Sequence, residues 1–222
     1  MTQHTPPASQ DAYLAQPPSP TNRGVLVLHA WWGLNPFMRR FCDRLAGQGF
    51  NVVAPDLYHG AVAVTVSEAQ KLRSRLKGAI VQQEIAAASA RLQAAGNGQP
   101  IGLVGFSLGG YWALWWAQVS PSVVATTIFY ATCGGDYSAS RSAFQFHLAE
   151  RDDHVAASGV KKLQKAMQSA GQDATFYTYP GTSHWFGEDD RPDAYQAEAA
   201  QLAWCRMVEF LHSHVGASEN PG

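Results

Sequence analysis

One short stretch constrains this chain more than any other. Gly105-Phe-Ser-Leu-Gly-Gly110 joins an apolar run, Ile101-Gly-Leu-Val-Gly105, to a segment with helical character over Gly109–Gln118. A serine on so tight a strand-to-helix turn takes a strained backbone, and its oxygen projects clear of the sheet. Gly105 and Gly109 flank it because the chain passes itself too closely there for side chains. The helix that starts at this turn aims free N–H groups and its positive dipole end at the same point, where a developing oxyanion needs them. Glycines that only ease strand–helix packing are the simpler alternative, and the strand-then-helix context argues against it. A phosphate cradle does not fit, because no Lys follows the glycines and the spacing is not GxGxxG.

The rest of the chain repeats this rhythm. Val25-Leu-Val-Leu28 is apolar without interruption, as in a strand buried on both faces. A helix is expected over 37–48, where Phe37, Phe41 and Leu45 recur every fourth residue and Gly49 stops it. Strands are expected at 50–54, 101–105, 123–130, 143–148 and 174–179. One or two helices are expected within 67–95, and others at 109–118, 160–170 and 193–214. Such alternation is that of a mostly parallel sheet covered by helices on both faces, in which chemistry collects at the carboxyl ends of the strands. Residues 1–10 read as a flexible Pro-rich arm, since five of the 12 prolines fall within the first twenty residues, and 11–222 read as one domain. Asp11–Ala15 is expected to make a short edge strand.

A serine hydroxyl needs a base in contact, and the base needs a carboxylate to orient it. On this kind of sheet the chain order is Ser, then Asp or Glu, then His. His184 stands in the turn-rich loop Pro180-Gly-Thr-Ser-His-Trp-Phe186, after the strand at 174–179. His147 lies inside an apolar strand and reads as a core histidine. His212 and His214 end the last helix and read as solvent-facing. His154 is too near the acid loop to leave room for a later base. The acid belongs after the strand at 143–148, where Glu150, Asp152 and Asp153 stand, and spacing alone leaves the two aspartates open. Backbone N–H groups of Leu108 and Trp31 are the candidate oxyanion donors. Trp32, Tyr58, Tyr130, Trp185 and Phe186 are expected to border the substrate. Trp112, Trp115 and Trp116 share a helix face and read as core.

Composition excludes other classes. Apolar residues make up 46% of the chain, enough to offset chain entropy. Net charge is −1, and no Lys/Arg-rich run suits a nucleic acid; Lys71-Leu-Arg-Ser-Arg-Leu-Lys77 reads as a solvated helix face. No apolar run approaches the roughly 20 residues of a membrane helix, and the N-terminus is not built as a secretory signal. Cys42, Cys133 and Cys205 form neither a disulfide framework nor a metal knuckle, which suits a cytoplasmic setting.

Taken together, these segments resemble the dienelactone hydrolase family of the α/β-hydrolase fold, from about Tyr13 to Leu211. His29-Ala-Trp-Trp-Gly-Leu-Asn35 with Phe37-Met-Arg39, Pro55-Asp-Leu-Tyr58, Gly105–Gly110, Phe146–Val155 and Gly181-Thr-Ser-His184 followed by Phe186 each look like a segment of that family. In the acid loop the family places a small residue three before the acid and Val three after, a register that selects Asp152. The best-known members carry Cys as nucleophile and a Glu where Ala30 stands. Losing both together is coherent, because a serine relies on its histidine and has no thiol proton to manage. Where the family has a carboxylate-gripping arginine soon after its histidine, this chain has Glu188, whose charge would repel an anionic substrate. Arg39, Arg141 and Arg151 are the remaining candidates for a carboxylate contact.

The resemblance implies an α/β-hydrolase fold without a large cap, since only 12 residues, 131–142, separate the strand ending at Tyr130 from the next. It implies a serine hydrolase with Ser107, Asp152 and His184 as its triad, acting on small esters or lactones in a shallow cleft. No cofactor, metal, nucleic acid or membrane is expected, and the chain is expected to be a monomer or weak homodimer. The alternatives are a non-catalytic binding or regulatory protein of the same fold, or a thioesterase or acyltransferase with the same triad.

Overall fold

The computed structural model describes residues 12–216. The arm expected at 1–10 lies outside the described residues. The chain opens with β1 (Ala12–Ala15), β2 (Gly24–Leu28), α1 (Pro36–Ala46) and β3 (Asn51–Pro55). Next come α2 (Val66–Arg75), α3 (Gly78–Ala95), β4 (Ile101–Phe106), α4 (Leu108–Val119) and β5 (Val123–Phe129). It closes with β6 (Ala143–Arg151), α5 (Ala157–Ser169), β7 (Ala174–Ser183) and α6 (Ala197–His214). The strands form one seven-stranded sheet in the order β1-β3-β2-β4-β5-β6-β7. β1 runs antiparallel to β3, and the other neighbours are parallel. This is the expected α/β architecture, with no cap between β5 and β6.

The strand period of two sorts the core into two layers. Val25 and Val27 of β2 face the layer built on Phe37, Phe41 and Leu45 of α1 and on Trp204, Met207 and Leu211 of α6. Leu26 and Leu28 face the opposite layer, with Val81 and Ile85 of α3, Leu114 of α4 and Leu163 of α5. Each such side chain removed from water contributes about 1.5–3 kcal/mol. After β2 the chain crosses to α1 on one face. After the adjacent β4 it crosses to α4 on the other. That divergence opens a crevice at the carboxyl ends of these two strands, where ligands of such sheets bind.

Local signals set several boundaries. Asn35 caps α1 by accepting from the Met38 N–H at 2.9 Å, and Pro36 takes the first helical position. Thr65 and Glu68 form a reciprocal capping box at the start of α2. The segment 67–95 divides into two helices because Leu76 leaves helical geometry, with ψ at 131°. The last helix starts at Ala197 and not at 193, since 192–196 form turns that bring Gln196 N–H to Phe186 O at 3.0 Å. β6 and β7 run longer than their apolar runs, to Arg151 and Ser183, because they pair with each other up to those residues.

Candidate active site

Ser107 follows β4 and precedes the first residue of α4. Its backbone sits at φ 49°, ψ −110°, outside the ordinary wells of an L-residue. Ser107 N–H donates to Phe129 O at 3.0 Å, and Ser107 O accepts from Tyr111 N–H at 3.0 Å. The glycines make this turn possible. A Cβ on Gly109 would stand 2.1 Å from Leu28 O, and one on Gly105 would stand 2.6 Å from Gly109 O.

Strands β6 and β7, side by side, carry the acid and the base. The Ser107 hydroxyl donates to His184 Nε2 at 2.8 Å. His184 Nδ1–H donates to Asp152, 2.8 Å from Oδ2 and 2.9 Å from Oδ1. A carboxylate accepts only, so the imidazole proton stays on Nδ1 and Nε2 is left with a lone pair toward the serine. Asp152 is itself held, its Oδ1 accepting from the N–H groups of His154 and Val155, both at 2.9 Å. Asp153, the other aspartate that spacing left open, is exposed and is not brought to His184. Burial lowers the His184 pKa below its ordinary value, and nearby His154 adds to this. The hydrogen bond and charge of Asp152 oppose it. The imidazole is therefore neutral at neutral pH.

A cleft of about 540 Å³ opens over Ser107. Tyr130, an expected substrate contact, lines it, as do Trp31 and Leu108, the candidate oxyanion donors. Leu108 is the first residue of α4, where backbone N–H groups lack helical partners. The other expected substrate contacts do not reach the cleft. Trp32 is buried against Trp31 and Trp185, with the Arg191 guanidinium 4.0 Å above its ring. Tyr58 packs on His29 at 5.1 Å. Trp185 is turned by a positive φ of 69° so that its ring stacks behind Trp31 at 5.8 Å. Phe186 is fully buried against Tyr130 and Tyr179. Trp32, Trp185 and Phe186 back the wall rings Trp31 and Tyr130 from behind.

Several groups that the sequence reading set elsewhere enter the cleft. Arg73 and Leu76, read as part of a solvated helix face, line it from the end of α2. Trp112, read as core, is half-buried and also lines it, one turn into the helix after Ser107. His154, set aside beside the acid, sits in the wall with its ring 4.7 Å from that of His184. A position five residues past the nucleophile signals Trp112. No pattern signals Arg73, because tertiary packing of α2 puts it there. Arg39, Arg141 and Arg151 do not line the cleft, and Arg39 lies over the Tyr13 ring. Glu188 is not a charge facing substrate either: it is fully buried beneath the site.

Four other histidines among the described residues have structural partners. His147 is fully buried between Tyr179 Oη at 2.7 Å and Gln145 Oε1 at 2.9 Å, and burial pushes its pKa down to about 3. His29 donates from Nδ1 to Ala30 O at 2.7 Å and accepts at Nε2 from Leu57 N–H at 3.1 Å, fastening the Trp31 loop to the exit of β3. His212 and His214 are half-buried, on Arg23 and Phe210 respectively, and not simply solvent-facing. Cys133 is buried, which raises its thiol pKa and leaves it a poor nucleophile. Among the described residues, no cluster of three or more His, Cys, Asp or Glu is placed to hold a metal, and no helix is long and apolar enough to cross a membrane.

Comparison with known proteins adds an independent line. The model of the dienelactone hydrolase family matches residues 10–215. The chain is 29% identical over 204 residues to protein usf of Aquifex pyrophilus, covering 86% of this chain and 88% of that protein. It is 28% identical over 203 residues, with the same coverage, to an Aquifex aeolicus protein named "Putative carboxymethylenebutenolidase". A solved dienelactone hydrolase-like promiscuous phosphotriesterase from metagenomic libraries superposes with a TM-score of 0.74 at 20% identity, covering 89% of each chain. At that identity the likeness speaks to the fold alone.

Proposed function

The chain belongs to the dienelactone hydrolase family, and from that premise we propose that it is a serine hydrolase that opens small esters or lactones through an acyl-enzyme. The observation that carries this reading is the pair of contacts at His184: Ser107 Oγ at 2.8 Å on one ring nitrogen and Asp152 at 2.8 Å on the other. In the first step His184 Nε2 takes the Ser107 proton as Oγ attacks the carbonyl carbon. The carbonyl oxygen becomes an oxyanion held by the N–H groups of Leu108 and Trp31. Asp152 stabilises the imidazolium. The proton then passes to the leaving oxygen as the acyl–oxygen bond breaks. Water, deprotonated by His184, attacks the acyl-enzyme and releases the acid and Ser107.

The cleft fits a small, half-exposed substrate, with Trp31, Trp112 and Tyr130 as aromatic walls and Arg73 as a cation at the α2 side. An ester or lactone that bears a carboxylate meets that arginine and not the buried Glu188. We place the enzyme in the cytoplasm because its three cysteines are unpaired, and we propose that it works as a monomer or weak homodimer without a cofactor. The test is Ser107→Ala on short p-nitrophenyl esters and on a panel of neutral and anionic lactones. The reading expects a loss of several orders of magnitude, and retained activity rejects it.

A further inference from the structure

We infer that Glu188 is a positioning residue of the Ser107–His184 site: its buried carboxyl holds the Tyr130 hydroxyl and so fixes the Tyr130 ring against His184 in the cleft wall. The inference rests on the serine-hydrolase reading above.

Glu188 is 0% exposed. Its Oε1 accepts from Tyr130 Oη at 2.7 Å, and its Oε2 has no hydrogen-bond partner among the described residues. Tyr130 is the link to the chemistry. Its ring centroid lies 4.8 Å from that of His184, and its side chain forms part of the cleft wall. Its backbone is held at a φ of 39°, in the left-handed region that a tyrosine seldom adopts. The surroundings over-determine that conformation: Tyr130 N–H donates to His147 O at 2.8 Å, and Phe186 packs on the ring at 5.6 Å. Among the described residues, Glu188 is the one hydrogen-bond partner of the hydroxyl.

The bond itself favours the ionised carboxyl, so what keeps Glu188 neutral is its burial. A buried carboxylate needs several donors, and Glu188 has one. The charged groups that face it are Asp190, which opposes its ionisation, and Arg191, which favours it. Arg191 is engaged elsewhere, over the Trp32 ring and 3.2 Å from Asp190 Oδ2. Burial, the largest cause, pushes the Glu188 pKa up to about 8. Burial keeps the Tyr130 phenol protonated, and its hydrogen bond to Glu188 and the nearby acids Asp190 and Asp152 add to this, so Tyr130 stays the donor. If Glu188 ionises, the unpaired charge is relieved by moving 187–190 toward water. That segment begins three residues after His184 and is tied back to the residue next to it through Glu188 N–H on Trp185 O at 2.9 Å. Losing the proton therefore loosens the wall behind His184, and activity falls.

Two measurements test this on the full chain, with Glu188→Gln and Tyr130→Phe beside the wild type. The first is kcat/KM for a short p-nitrophenyl ester against pH. The wild type should lose activity with an inflection near the Glu188 pKa of about 8. Glu188→Gln, which cannot ionise, should lack that limb whatever its absolute rate. Tyr130→Phe removes the only donor to the carboxylate and should move the limb to higher pH. The second is the thermal unfolding midpoint against pH. The unfolded chain gives up the Glu188 proton at the ordinary carboxyl value of 4.5, whereas the fold keeps it to about 8. The wild type should thus fall behind Glu188→Gln progressively between those values, with the gap level above them. A gap constant with pH overturns the inference, as does an unchanged alkaline limb in Glu188→Gln or in Tyr130→Phe. The thermal measurement needs no turnover, so it still reads Glu188 if Ser107→Ala were to show that the hydrolase reading is wrong.

Discussion

Replacing Asp152 by Asn changes one atom type and leaves the shape of the loop unchanged. Asp152 Oδ1 accepts from the His154 and Val155 N–H groups, and the asparagine carbonyl can keep both bonds. The amide NH₂ then takes the place of the oxygen now 2.8 Å from His184 Nδ1. Two donors cannot share that contact, and the carbonyl, 2.9 Å from Nδ1, already accepts two backbone N–H groups. The imidazole must move its proton to Nε2, which faces the Ser107 hydroxyl at 2.8 Å and can no longer accept its proton. The imidazolium also loses its counter-charge. A wrong tautomer of this kind costs about 10⁴-fold in kcat, or about 5.5 kcal/mol at 1.36 kcal/mol per tenfold. Asp153→Asn, at the exposed neighbour, should stay within about twofold, as surface substitutions do. The assay is kcat/KM on p-nitrophenyl acetate, with thermal midpoints to show that both variants fold. Asp152→Asn retaining more than about a tenth of the activity, or both variants falling alike, would refute the reasoning.

Three further outcomes follow from the same geometry. Because burial holds the His184 pKa below 6.5, the base is neutral above that value, so kcat/KM should be flat at neutral pH and fall on the acid side through an inflection under 6.5; an inflection above 6.5 contradicts this. Gly109→Ala should lower the urea midpoint, since its Cβ would meet Leu28 O at 2.1 Å and Leu28 C at 2.5 Å. Such overpacking costs roughly 1–3 kcal/mol or more, above the about 1 kcal/mol that Ala gains over Gly in a helix, and a variant as stable as wild type sinks the argument. His147 refuses a proton until about pH 3 in the fold, whereas the unfolded chain takes it near 6.5, so stability should decline as pH falls between those values, and His147→Gln should decline less. Equal acid sensitivity of the two proteins, read by calorimetry, would contradict that.

Much of this architecture could be read from local pattern. Val25–Leu28 and Ile101–Gly105 are uninterrupted apolar runs, and such runs have few alternatives to a strand buried on both faces. The turn at Ser107 is set by residues adjacent in the chain. The loops that bear Asp152 and His184 were legible because parallel strands bring their carboxyl ends to one edge. Orientation within a loop is a different matter. Trp32, Trp185 and Phe186 stand in site loops, yet their rings point into the wall behind the cleft, because each turn rotates the side chain by an amount that neighbours decide. Arg73 and Leu76 look like any solvated stretch until the fold brings the end of α2 to the cleft that α4 also lines. Glu188 reads as a surface charge because nothing in its own segment shows that Tyr130, 58 residues earlier, donates to it in a dry pocket.

The central claim is that Ser107 is a nucleophile activated by His184 and oriented through Asp152. Labelling with a fluorophosphonate probe, followed by mass spectrometry of the intact protein and its peptides, tests this most directly, because the probe forms a covalent adduct only with an activated serine. The account predicts one adduct, on Ser107, absent in Ser107→Ala and slowed by orders of magnitude in His184→Ala. No adduct on the folded wild-type chain, or an adduct on another residue that persists in Ser107→Ala, would contradict it.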